Sequence, residues 1–247
     1  MTGPGPLQAL FAQATALLPD ELELGWYRQQ FPAPDGLVLD ALCGMGRVLV
    51  PLVGQGHKVH GVEPAPTLLA RCDERVAAAG LATPTFRQDI AQLNLPFRYG
   101  GAYVADGALQ AITDPALVQA ALERIRAHLV APGTLVVDCR VPPTAQQRLA
   151  APLVEVRTAK LPDGSQIALR SETTWTPEAR LVRAAHRYAH RRGAQRLAEE
   201  HATLRATWYA PEEMLEVVRA AGFRDARVVA APVAGPADEA FAVLAKA

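Results

Sequence analysis

The sequence predicts an α/β fold: a doubly wound, mostly parallel, Rossmann-like sheet with an antiparallel β insertion before the last core helix. Three observations lead there. From Leu37 to Cys139, branched apolar runs alternate with helical patterns, as in a parallel sheet covered by helices on both faces. Within that region, Leu37-Val38-Leu39-Asp40-Ala41-Leu42-Cys43-Gly44-Met45-Gly46-Arg47 reads as a buried strand running into a glycine turn, and Val48–Val53 as the helix after it. Beyond Val141-Pro142-Pro143 the hydrophobic period becomes two and stays so over four segments.

In chain order, Leu7–Leu18 carries apolar residues at helical spacing and stops at Pro19, and Asp20 is a cap for a second helix from Glu21 to about Phe31. The first strand and its glycine turn follow. A second strand, His57–Val62, ends in Glu63-Pro64. Pro66–Gly80 is a helix with glycine as its stop, Pro84–Gln88 a third strand ending at Asp89-Ile90, and Ala102–Ala105 a fourth ending at Asp106-Gly107. Asp114-Pro115 opens a helix to Leu129 as N-cap and first-turn proline, and Thr134–Cys139 is a fifth strand. Leu153–Leu161, Ser165–Trp175, Arg180–Arg192 and Gln195–Trp208 alternate as two consecutive hairpins. Pro211–Phe223 is the last helix with its stop, and Ala226–Ala230 and Phe241–Leu244 close the sheet. The expected organisation is a single domain: helices over 1–35, core over 36–141, β insertion or cap over 152–208, and closing elements over 209–247.

A glycine turn between strand and helix lets backbone approach a nucleotide-like ligand. Glu63 stands about twenty residues beyond it, where a carboxylate accepts from both hydroxyls of a ribose. A dinucleotide fingerprint needs a third small residue in the turn, and that position here is Leu49. As a whole the stretch resembles the first motif of the class I S-adenosylmethionine-dependent methyltransferases. Gly61-Val62-Glu63-Pro64 resembles that family's acidic second-strand motif, Arg87-Gln88-Asp89-Ile90 its adenine-binding motif, and Leu129–Leu135 its link into the fifth strand. Trp208–Met214 through Ala221-Gly222-Phe223 is similar to the end of many small-molecule members.

The resemblance implies S-adenosyl-L-methionine as cofactor, held by Asp40, Leu42, Gly44, Gly46, Arg47, Glu63, Pro64, Asp89, Ile90, Ala105 and Asp106. Leu42 departs from the pattern, because the family usually has glycine there, and a side chain at that point narrows the floor beneath the methionine part. The late β insertion is expected to cover the substrate mouth and to offer a homodimer contact. Tyr27, Asp106, His186 and Arg205 are then the substrate-binding candidates, with Tyr27 and His186 the candidates for a base. Blander readings stand beside these: Trp26 and Tyr27 pack a helix, Asp89 caps a turn, and the His186 and Arg205 faces form the wet side of a sheet.

Composition narrows the function. Among 247 residues, 25 basic side chains balance 25 acidic ones, which argues against nucleic acid as the partner. The three cysteines have no metal-ligand spacing and suit a reducing cytoplasm. No apolar stretch spans a membrane and no export signal is visible. The expected activity is direct methyl displacement onto a small-molecule acceptor, which needs positioning and water exclusion but no metal or nucleophilic triad. The alternatives are a methyltransferase-shaped binding protein without turnover and, less favoured, a nicotinamide oxidoreductase.

Overall fold

The computed structural model describes residues 4–15, 19, 21–31, 36–141, 152–176, 178–231 and 240–247. Asp20, the expected helix cap, lies outside them. The helices are α1 (Pro6–Thr15), α2 (Glu21–Gln30), α3 (Leu49–Gly54), α4 (Pro66–Ala78), α5 (Pro115–His128) and α6 (Pro211–Ala220). The core strands are β1 (Val38–Ala41), β2 (Val59–Val62), β3 (Thr85–Phe86), β4 (Tyr99–Val104), β5 (Leu129–Arg140), β10 (Arg224–Ala230) and β11 (Ala240–Lys246). The insertion holds β6 (Leu153–Lys160), β7 (Gln166–Thr176), β8 (Leu181–Arg192) and β9 (Gln195–Thr207).

The core sheet has the order β10-β11-β5-β4-β1-β2-β3. Pairing is parallel from β5 to β3, and β11 runs antiparallel between β5 and β10. Both faces are covered, so the strands read as unbroken apolar runs. Successive β1 side chains serve opposite layers: Leu39 and Ala41 pack with α5 and α6, whereas Val38 packs with Leu24 and Tyr27 of α2 and Leu52 of α3. Strand order reverses at β1, which has β2 on one side and β4 on the other. The crevice at the carboxyl ends of β1 and β4 is therefore where such a sheet binds its ligand.

The insertion is a four-stranded antiparallel meander in the order β6-β7-β8-β9. One of its faces receives α1, through Leu7 and Phe11 against Ile167, Leu169 and Tyr188. Two boundaries differ from the sequence reading. The third strand shrinks to Thr85-Phe86, because Asp89 already caps a 3-10 turn over Ile90–Gln92. The fifth strand begins at Leu129 rather than Thr134, with a cis Ala131-Pro132 bond inside it.

Candidate functional site

The glycine turn takes its shape from local constraints. Leu42 and Cys43 both donate to the Val62 carbonyl at 2.9 Å, which lashes the end of β1 to the end of β2. Gly46 at φ +72° touches α4 so closely that a Cβ there would stand 2.7 Å from Cys72 Sγ. Arg75 of α4 donates to the Met45 carbonyl at 3.0 Å and fixes the tip. A Cβ on Gly44 (φ +55°) would meet nothing within 4 Å, so this residue faces open space. Leu42 adopts φ +77°, a conformation that favours glycine, while its side chain packs against the core. The glycine that the family pattern requires at this point matches the backbone found here.

Glu63 is buried with its carboxylate divided between two backbone donors, Gly44 N at 3.1 Å and Ala65 N at 2.9 Å. Burial raises its pKa and the two N–H groups counter that. A carboxylate has about four acceptor positions, so two remain. Asp40, fully enclosed at the end of β1, accepts from Tyr103 Oη at 2.8 Å through Oδ2, but its Oδ1 has no partner. Burial pushes its carboxyl up to about 8 against the opposing pull of Tyr103. Such an orphan costs free energy until a donor or a cation arrives.

Two cavities flank these acids. One of about 270 Å³ is walled by the glycine turn, Leu42, Arg47, Ala105 and Asp106. One of about 650 Å³ lies between Glu63-Pro64-Ala65, Ala111, the start of α1 and residues 200–204 of β9. Leu68 contributes to both.

Charged groups gather at the smaller cavity. Arg47 grips Glu23 of α2 with two bonds, 2.9 and 2.7 Å, and also donates to Asp106. Asp106 meets Arg140 at 3.1 Å. Asp106 and Gly107 take consecutive left-handed conformations, φ 58° and 66°, and Asp138 of β5 anchors this turn by accepting from Gly107 N at 2.7 Å. The other Asp138 oxygen accepts from Tyr27 Oη at 2.7 Å. Burial raises the Asp138 carboxyl to about 6 despite these donors.

The remaining sequence candidates lie in differing surroundings. Tyr27 has no exposed surface, burial followed by the neighbouring Asp138 charge pushes its phenol well up, and its hydroxyl ties α2 to β5 through Asp138. His186 and Arg205 do not converge with it. The register pairs His186 with Ala202 and Arg183 with Arg205, which puts His186 on the α1 face and Arg205 on the opposite, outer face. His186 is half-buried and 3.0 Å from Tyr188 Oη, and burial lowers its pKa. Arg205 is exposed. Asp89 is exposed and accepts from Ala91 N at 2.9 Å, and Ile90 lies in the core. Asp40, Leu42, Gly44, Arg47, Ala105 and Asp106 do come together around the smaller cavity, and Glu63 and Pro64 around the larger, whereas Gly46 packs behind the turn.

Sequence reasoning missed Glu23, Tyr103 and Asp138. The only available signal was an acid within the apolar run of the fifth strand, since a carboxylate there must find donors.

Comparison with known proteins agrees with this architecture. Residues 38–133 match a family described as a methyltransferase domain. The chain superposes on an S-adenosylmethionine-dependent methyltransferase from Clostridium acetobutylicum with TM-score 0.77 and 15% identity, covering 95% of this chain and 93% of the other. The fold is that of the class I S-adenosylmethionine-dependent methyltransferases. Two further methyltransferases of this shape are a sugar N-methyltransferase from Streptoalloteichus sp. and an amino pentose methyltransferase from Micromonospora echinaspora. The first has TM-score 0.78 and 20% identity, with 98% of this chain and 94% of that one covered. The second has TM-score 0.74 and 22% identity, with 100% and 98% covered. A 23S rRNA uracil methyltransferase from Shewanella sp. is 42% identical over 55 residues, which is 22% of this methyltransferase-fold chain and 12% of that relative's length.

Proposed function

We propose that the chain is a methyltransferase that binds S-adenosyl-L-methionine and methylates a small-molecule acceptor. The observation that carries this reading is the pair of buried acids at the strand ends, Glu63 with two acceptor positions left and Asp40 with an orphaned oxygen, beside open space at Gly44. This set fits a cationic adenosine derivative: Glu63 would accept from the ribose hydroxyls, and Asp40 would face the positive charge of the amino acid part. Gly44 and Met45 would lie along the ligand, with Leu42 beneath it and Pro64 beside Glu63. For the adenine, the exposed Asp89 and the backbone of the turn it caps are the proposed contact, with Ile90 buried behind that turn.

When bound, the cofactor supplies a methyl carbon on a sulfonium, open to displacement by a nucleophilic atom whose lone pair forms the new bond. The chain's own part is positioning. Asp138 and Tyr27 hold the Asp106-Gly107 turn against α2, and Arg47 joins that turn to Glu23, so the acceptor's entrance is built from three fixed elements. The solved relatives named for sugars support a small-molecule acceptor, and the balanced charge supports one other than nucleic acid. Three free, buried cysteines suit a cytoplasmic setting. Exposed Val154 and Val156 on the outer face of the insertion support self-association there, which sedimentation would read.

Calorimetry with S-adenosylhomocysteine and with NAD tests the reading. Binding of the first and not the second is expected, and the reverse would overturn it.

A further inference from the structure

The larger cavity has an unusual wall. It is lined by five consecutive residues of β9, Glu200 to Leu204. A sheet face contributes alternate residues, so a run of five means that the edge of the strand faces the cavity. β9 is indeed an outer strand of its sheet, paired only with β8.

The register tells which backbone groups that edge presents. Trp208 N donates to the Arg180 carbonyl, and the same pairing sum links Leu181 to Thr207 through His190 to Ala198. Even-numbered residues of β9 from 198 to 206 therefore exchange both backbone bonds with β8, and odd-numbered ones turn theirs outward. Thr207 confirms this, since its carbonyl is taken from outside by Gln110 Nε2 at 3.2 Å. Among the described residues, the outward N–H and C=O groups of His201 and Thr203 have no partner.

A free edge invites another strand, and natural sheets protect theirs with lysine, proline or bulges. Glu200–Leu204 has no lysine or proline, and the one bulge of β9 lies at its far end, opposite Arg191. The edge borders a cavity shared with the start of α1 and the Glu63–Leu68 segment, and His201, Thr203 and Leu204 are themselves exposed there. Glu200 fixes that spacing by accepting from Leu7 N and Gln8 N at 2.8 and 3.2 Å, which caps α1.

We propose that the His201–Thr203 edge is the acceptor-recognition strip of this site and that it takes a short, extended, peptide-like chain by main-chain pairing. This rests on the methyltransferase reading and deepens it. Outward donors and acceptors on alternate residues repeat about every 6.6–6.8 Å, which is the spacing of an extended peptide. A polyol carries its hydroxyls on adjacent carbons and matches only part of that repeat. Apart from Glu63, which the cofactor would engage, and Gln8, the remaining wall is apolar (Pro6, Ala9, Pro64, Leu68) and suits a neutral chain.

The test uses the isotope-labelled full chain, titrated with N-acetyl-trialanine amide, both with and without saturating S-adenosylhomocysteine. The amide resonances of His201 and Thr203 should shift. Replacing the central amide of the peptide with an ester should weaken binding about tenfold. Proline is tolerated on an edge where its missing N–H faced outward. Thr203→Pro should therefore keep the melting temperature and S-adenosylhomocysteine affinity while losing the peptide, whereas Ala202→Pro should melt the insertion. Absence of peptide binding in both arms, shifts elsewhere only, or full peptide affinity in Thr203→Pro would overturn the proposal. A chain that takes the peptide but not S-adenosylhomocysteine would overturn the cofactor reading and leave this one standing.

Discussion

Glu63→Ala tests the centre of the site, and the structure changes what it should do. Read from sequence, Glu63 is a ribose acceptor. In the structure it already accepts from Gly44 N and Ala65 N, so truncation strands two donors. Each buried unpaired N–H costs about 1–3 kcal/mol. Gly44 borders open space that water can enter, and the carboxylate lost was itself disfavoured by burial, so the total falls at the lower end, about 2–4 kcal/mol. At about 2–4 °C per kcal/mol for a chain of this size, the melting temperature should drop by roughly 5–15 °C. S-adenosylhomocysteine affinity should fall more than tenfold in addition, because charged-acceptor bonds to two hydroxyls are worth about 1.5–3 kcal/mol each. Glu63→Gln keeps one acceptor oxygen and should lie between wild type and alanine on both scales. Scanning calorimetry and titration calorimetry read the two quantities. An unchanged melting temperature together with unchanged affinity would refute the reasoning.

Asp40, held near 8 by burial, is protonated in the free chain at pH 7, so binding the cationic cofactor should release a proton. Titrations in buffers of differing ionisation enthalpy will show that release, and Asp40→Asn should abolish it. Asp138, raised from 3.8 to about 6, contributes stability that is complete below 3.8 and lost as pH rises through about 6. Asp138→Asn should therefore flatten the denaturant stability curve between those values; a curve as steep as wild type would contradict the assignment. At Leu42, glycine relieves a left-handed strain of about 1–2 kcal/mol, which offsets most of the lost packing, whereas alanine loses packing and keeps the strain. Leu42→Gly should thus melt higher than Leu42→Ala, and the opposite order would show that the backbone strain is small.

The core was legible because its signals are local. Each strand that ends at the site is buried on both faces, and each ends in a residue whose type betrays it: Asp40, Glu63, Asp106. The hairpins of the insertion were legible through their period and through turns at Pro162-Asp163-Gly164 and Gly193. Less legible was how particular side chains on two elements face each other. His186 and Arg205 sit on strands predicted correctly, yet a register that pairs His186 with Ala202 sends them to opposite faces. Tyr27 sits on a helix predicted correctly, but the side of that helix toward β5 was fixed by Asp138, more than a hundred residues away. The free edge of β9 carries no side-chain signature at all, because the groups that matter are backbone.

The position of β11 bears on how the chain is made. This strand lies between β5 and β10, so two neighbours in the sheet wait for an element that is synthesised after both. Until it arrives, β5 has β4 on one side and an open edge on the other, while β10 has no partner in the sheet. The insertion is the reverse case, a meander of consecutive hairpins whose pairings are all short in sequence. Contacts of short separation form faster than distant ones. On a ribosome the insertion would therefore be finished before the core sheet, and closure of the β5–β11 seam would be the step that commits the molecule.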